Sequence, residues 1–291
     1  MATTRYAQPI LGLVAFGVSF LSQWLGHSAF AFIHGVFGEY HYYASFFTGV
    51  VGALLIGRGL KEAQIAATWM GFLGAQFVWL GCFELTFEFY AEFFSFPAYE
   101  AGPRLVAPGD ANMLMATMPI MMTLFLIYGF YNRQTRCNLI RWFHRNLRLT
   151  PGLPTPDNGR SYGRVVAMET LFVIWFCYLF WLYVAYIGAN QNLMLAAYVG
   201  WAVWFGYIFW KLFRFPGVGA AFRYAIPVGI IGWGLAEMPS YMGFYDEVWL
   251  KPFQYPVTTL IATGLYIAGL VYLANPPKRT PLTSEPEQIV A

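Results

Sequence analysis

Charge is what this sequence has least of. Lys, Arg, Asp and Glu make up 11% of its 291 residues, while 58% are hydrophobic and 20% aromatic. Soluble domains carry roughly a quarter charged residues, so too little polar surface remains here to coat a soluble globule. Cysteine is scarce too. Cys82, Cys137 and Cys177 form no CxxC pair, so buried free thiols are expected rather than a structural disulfide. No Lys sits in the middle of an apolar run, which excludes a retinal Schiff base. Phosphate-binding loops, a nucleophile elbow and dinucleotide glycines are absent, and so is any compact HxH, HxxxH or ExxH pair.

What the sequence does have is long apolar runs of about 20 residues, enough to cross a bilayer as helices. Within lipid only helices or closed barrels satisfy the backbone, and the runs are continuous rather than alternating. The expected fold is therefore all-α: a polytopic transmembrane helix bundle of about eight spans, at 8–25, 41–57, 64–93, 110–131, 164–187, 192–213, 222–239 and 254–274. Residues 26–40 read as an outer loop or a half-inserted helix. The first run has only Arg5 ahead of it and no small-residue cleavage site after it, so it reads as a retained helix. Residues 1–274 then form one bundle, with 132–163 a basic cytoplasmic loop and 275–291 a polar, Pro-rich flexible tail.

The few charges orient the bundle. All of the 17 Lys and Arg except Arg104 and Lys251 fall at span ends that one topology puts on one side. By the positive-inside rule that side is cytoplasmic, as are both termini, and the chain is a multi-pass protein of the cell's inner membrane. The sequence pI near 8.7 follows from this excess and gives no reason to invoke nucleic acid. Trp175, Trp181, Trp201, Trp204 and Trp210 crowd span ends as lipid anchors or core filling.

The opposite, outer side collects Glu39, Glu84, Glu88, Glu92, Glu100, Asp110, Glu237, Asp246 and Glu247, together with His27, His34 and His41. Ionisable groups within a membrane are costly and point to function. Glu84 and Glu88 share a helix face at i, i+4, and Glu92 extends it. The three cannot all carry charge cheaply without a cation, so Glu84 and Glu88 are the candidate catalytic carboxylates. His27, His34 and His41 recur every seven residues, one stripe if the segment is helical. Imidazole with carboxylate suits copper, iron or zinc, and His27, His34, His41 and Glu39 are the candidate metal ligands. Haem is disfavoured, since His144 lies on the other side. Glu237, Asp246 and Glu247 complete an acidic outer pocket.

The string GLAEMPSYMGFYDEVWLKPFQYP, residues 234–256, is the most distinctive. Its Gly-x-x-Glu-Met, aromatic stretch, acidic pair and Pro before the last span resemble the C subunit of the copper membrane monooxygenases, which oxidise methane, ammonia or short alkanes. WFGYIFWKLFRFPGVGAAFRYAIP and LIYGFYNRQTRCNL echo the same subunit in the same order, from about residue 100 to 275. The resemblance implies a subunit of a larger membrane complex, a small apolar substrate and copper or another transition metal. The family's metal ligands are nevertheless missing. Where it carries an Asp and two His, this chain reads NQNLMLAAYVGW. Around the acidic pair stand Ala236, Tyr241 and Gln254, and only the supporting Glu237, Asp246 and Glu247 match. Any metal must then be held by the N-terminal helices. Two other functions fit the same residues: a cation- or proton-coupled transporter or channel gated by Glu84 or Glu88, and an intramembrane lipid-modifying enzyme using Glu84 as its acid.

Overall fold

The structure is a computed structural model describing residues 9–101, 104–132, 134–135, 137–149, 159–187, 191–215, 217–241 and 244–275. Residues 276–291 of the expected 275–291 tail, the start of the chain, Arg133, Arg136, residues 150–158 of the basic loop and Asn190 lie outside the described residues.

Nearly everything described is helical, as chains of apolar residues must be where no water can satisfy a backbone. In chain order the helices are α1 (Pro9–Phe37), α2 (His41–Gly59), α3 (Gln64–Val78), α4 (Leu85–Phe93), α5 (Gly109–Ala116), α6 (Met118–Tyr131), α7 (Asn138–Asn146), α8 (Tyr162–Ile187), α9 (Gln191–Leu212), α10 (Val218–Tyr241) and α11 (Pro256–Ala274). Among the described residues six helical stretches are long and apolar enough to cross a membrane, or seven if the bent pair α5 and α6 counts as one. The protein is an α-helical membrane bundle.

Three local features refine the sequence reading. Of the two readings of 26–40, outer loop or half-inserted helix, residues 26–37 take the helical one, because α1 runs on to Phe37 before breaking into a 3-10 turn at Gly38–Tyr40. Gly38 takes φ +49°, a conformation that costs glycine little and other residues more. The run at 110–131 is bent by 50° at Thr117, where Pro119 in the first turn of α6 withholds a backbone donor. Between β1 (Tyr99–Ala101) and β2 (Arg104–Ala107) an antiparallel ribbon forms that the apolar pattern did not announce.

Contacts set the helix directions. α1 runs in the same sense as α10, with Ser19 at Ile226 and His27 at Glu237. It runs against α9, where Gly12 meets Phe213 and Phe16 meets Phe209. It also runs against α11, with Val18 at Gly269 and Phe32 stacked on Phe253 in the approach to that helix. α2 and α3 make an antiparallel hairpin through Gly59 at Met70, Gly52 at Gly74 and Gly49 at Gly81. The central helices are α8 and α10, with 61% of each span buried, against 6% for α9 and 11% for α11. Trp175, Trp181 and Trp201 fill this core, whereas Trp204 and Trp210 are exposed.

Between α3 and α4 the helix widens into one π-turn, Trp79–Glu84. Such turns arise where an extra residue is accommodated within a helix, and each inserted residue rotates everything after it by about 100°. The widening coincides with the tightest helix contact. A Cβ on Gly81 would fall on the backbone of Gly49 and Ser45, and one on Gly49 would sit 2.6 Å from Cys82 Sγ. Lipid supplies no hydrophobic drive between helices, so close approach of small residues is what joins this pair. Gly81→Ala is expected to cost about 1–3 kcal/mol by overpacking and to lower the unfolding temperature in detergent. Gly17→Ala should leave that temperature unchanged, because nothing lies within 4 Å of its added methyl. Equal unfolding temperatures for the two variants would remove the α2–α3 contact as a support of the fold.

Candidate metal centre and its neighbours

α1 carries a polar stripe on an otherwise apolar helix. Ser19, Ser22, Gln23, His27 and His34 follow one another at close to helical spacing and turn inward. The Ser19 hydroxyl donates to the Ile226 carbonyl at 3.0 Å, and the amides of Gln76 and Gln23 donate to Ser22 Oγ at 3.3 and 3.2 Å. Ser28 donates to the carbonyl of Trp249 at 2.8 Å. These bonds hold α1 against α3, α10 and the loop before α11. Sequence reasoning passed over them, because an isolated Ser or Gln in an apolar run does not reveal its partner.

At the far end of this stripe His34 meets His41 across the Gly38 turn, ring centroids 4.2 Å apart. Glu88 reaches both: His34 Nε2 stands 3.3 Å from Glu88 Oε2 and His41 Nε2 3.6 Å from Glu88 Oε1. One ligand atom from each of the three residues fits within 4.8 Å of the others. His34 Nε2, His41 Nε2 and Glu88 Oε2 are all buried and make no hydrogen bond. His41 Nδ1 lies 2.7 Å from the Gly38 carbonyl; a carbonyl only accepts, so Nδ1 carries the hydrogen. Nε2 then faces Glu88, and its lone pair is open to a cation when the ring is neutral. This is how ligating imidazoles are usually oriented by their outer partners. Glu92 and Asp110 lie within electrostatic reach of His34 and Glu88.

The stacked carboxylates are thus divided among different partners. Glu84 accepts from Trp79 Nε1 at 2.6 Å, a pair that the π-turn brings onto one face at i, i+5. Glu88 faces the two imidazoles, and Glu92 accepts from the Tyr42 hydroxyl at 2.7 Å. Glu39 is exposed on the 3-10 turn and stands apart from the three-residue cluster.

His27 belongs to a second group. Its Nε2 is 3.4 Å from Glu237 Oε1, and its Nδ1 is 2.8 Å from the Gln23 carbonyl. Glu84 is within electrostatic reach of both His27 and Glu237. Beyond Glu237, Ser240 donates to the Glu237 carbonyl at 2.6 Å and approaches Glu247 Oε1 at 3.5 Å. Asp246 pairs with Lys251 at 3.3 Å on the surface. Most of the site residues named from sequence therefore fall into two groups, one around His34, His41 and Glu88, the other around His27, Glu237, Glu84 and Glu247, while Glu39 and Asp246 join neither.

Glu247 sits in the loop outside the apolar spans. Burial, and then the nearby Glu237 carboxylate, push its carboxyl above the usual range, with His27 opposing. A folded value above the unfolded one means that the folded state binds the proton more tightly. That contribution to stability is complete below the ordinary glutamate value and is lost as pH rises through the raised one. Unfolding temperatures measured across this window should fall with pH for the wild type and lose much of that slope in Glu247→Gln. An unchanged slope in the variant would mean that other groups carry the dependence.

No family model matches this chain, and neither a curated protein nor a solved structure matches it.

Proposed function

We propose that this protein is an integral membrane metalloprotein whose His34–His41–Glu88 cluster holds one first-row transition ion. The observation that carries this reading is the convergence of three buried ligand atoms with no hydrogen-bond partner. Buried polar atoms are almost always satisfied, and each exception calls for an explanation. Two imidazoles and one carboxylate form a donor set that suits copper, iron or zinc, and three protein ligands leave positions open for a small molecule. Bound there, such an ion would supply a Lewis-acid or redox centre.

In this reading the chain crosses the membrane eight times, with both termini cytoplasmic and the cluster on the outer side of the inner membrane. The 50-residue stretch Ile10–Gly59 would be about 75 Å long as a straight helix, far more than the roughly 30 Å hydrocarbon core. Folded at Gly38, it supplies two crossings, and the bent pair α5–α6 supplies another. The charge asymmetry sets the orientation.

The resemblance of residues 100–275 to a monooxygenase C subunit supports a place in a larger oxidative membrane complex acting on a small apolar substrate. At the α1–α2 elbow an apolar groove of about 410 Å³ is lined by Ile33, Phe37, Tyr40, Tyr43, Ala44, Phe47 and Thr48. Its walls suit a hydrocarbon. A cation carrier has less support, because a path would have to continue past the acidic end of the bundle, and Glu169 near the other end is engaged by the Thr135 hydroxyl at 2.7 Å. An intramembrane acid at Glu84 also has less support, since Trp79 holds that carboxylate.

Elemental mass spectrometry on the chain gently extracted from native membranes is the test. Near-stoichiometric copper, iron or zinc is expected, lost in a His34→Ala, His41→Ala double variant and retained in His27→Ala. Glu88→Gln should weaken metal binding by more than the roughly 10–100-fold that outer-shell changes cost. Metal that survives the double variant, or a wild-type chain without metal, overturns the assignment.

A further inference from the structure

We propose that His27 and Glu237, with Glu84 beside them, form a proton-exchange site that communicates with the outer aqueous phase through Glu247. This site goes beyond the metal centre and stands without it, because none of its groups belongs to the His34–His41–Glu88 cluster.

The tautomer argument carries it. His27 Nδ1 lies 2.8 Å from the Gln23 carbonyl, which can only accept, so Nδ1 bears hydrogen. His27 Nε2 then faces Glu237 Oε1 at 3.4 Å. A bare Nε2 opposite an ionised carboxylate would set two acceptors against each other where the Glu237 carboxylate is buried and the imidazole half-buried. One proton must therefore lie between them. It can sit on Nε2, giving imidazolium and carboxylate, or on Oε1, giving imidazole and carboxyl. Moving it breaks one N–H bond and forms one O–H bond, and the net charge of the pair does not change. Release outward leaves the pair with one negative charge, and uptake restores it.

The surroundings point the same way. Trp233 lies with its ring 5.4 Å from that of His27, and Trp249 packs on Trp233 at 4.8 Å and on Trp24 at 5.8 Å. Trp181 stands over Gly234, one turn before Glu237. The indole N–H groups of Trp24, Trp181, Trp233 and Trp249 are buried donors with no acceptor among the described residues, and Trp233 and Trp249 are only 4% and 3% exposed.

The titratable groups facing the pair come from each neighbouring element. They are Glu84 from the π-turn, Cys177 from α8, and Tyr245 and Glu247 from the loop after α10. Of these, Glu247 both reaches the loop surface and lies in electrostatic reach of His27 and Glu237, with Ser240 beside it at 3.5 Å. Glu84 stands one helical turn before Glu88, which places the exchange site next to the His34–His41–Glu88 cluster.

Nitrogen NMR of the histidine-labelled full chain in lipid nanodiscs, prepared without metal, tests this directly. His27 is expected to show a hydrogen on Nδ1 and a hydrogen on Nε2 shared with a carboxylate. Glu237→Gln should convert it to the neutral tautomer with bare Nε2, leaving the His34 and His41 resonances in place. Glu247→Gln keeps the pair intact and should slow deuterium exchange at His27 Nε2 at least tenfold, so the proposal stays testable if Glu237→Gln fails to fold. An Nε2 resonance unmoved by Glu237→Gln, or exchange unchanged by Glu247→Gln, overturns the proposal. Because the chain is metal-free, either result is independent of whether the neighbouring cluster binds an ion.

Discussion

The structure depends on one constraint: a polar group on a membrane helix cannot be left facing lipid. An unsatisfied donor or acceptor in hydrocarbon costs several kcal/mol, and α1 carries Ser19, Ser22, Gln23, His27 and His34 along a single stripe. Turning that stripe inward decides which helices α1 must meet. α10 supplies the Ile226 carbonyl and Glu237, the α3 segment supplies Gln76, and α4 supplies Glu88. The hydrophobic faces that remain, on α9 and α11 above all, are free to meet lipid. The same requirement that assembles the bundle therefore gathers its ionisable groups at one end.

The hairpin of α2 and α3 translates this assembly into a particular geometry. Gly49 and Gly81 bring two backbones into contact, and the π-turn at Trp79–Glu84 re-aims the helix at that point. Without the turn, Glu84 and Glu88 would be rotated relative to the packed face of α3. With it, one carboxylate meets the indole of Trp79 and the next meets two imidazoles. A backbone irregularity thus sorts a row of similar side chains into different environments, which is a recurrent use of such turns.

Much of this was legible in the sequence. The helical membrane class followed from charge scarcity, and the face shared by Glu84, Glu88 and Glu92 followed from their spacing. The seven-residue recurrence of His27, His34 and His41 showed a stripe, and the structure places all three at one end of the bundle. What could not be read was how they divide. His34 and His41 meet because Gly38 takes a positive φ between them, while His27 is claimed by Glu237, 210 positions later in the chain. Residues 26–40 could be read as an outer loop or a half-inserted helix, because polar residues in an apolar run suggest exposure. In a bundle they mark the buried face instead, and only the partner helices reveal that. Glu39 has the right chemistry for a ligand but stands on the exposed side of the turn.

The two His–Glu groupings show how little distinguishes a ligand site from a proton site. In each, Nδ1 of an imidazole is pinned to a backbone carbonyl, Gly38 for His41 and Gln23 for His27, and Nε2 is presented to a carboxylate. The difference is a second imidazole. His34 adds a second imidazole opposite the same Glu88, and two neutral imidazoles facing one carboxylate would be best satisfied by a cation that accepts from all three. The ring packed on His27 is the indole of Trp233, whose nitrogen donates and cannot ligate. In the proposed reading, a pair with one nitrogen and one oxygen is satisfied by a proton, and a pair with an added nitrogen suits a metal. The chain would set these two outcomes side by side by placing histidines seven residues apart on one helix and breaking that helix after the second.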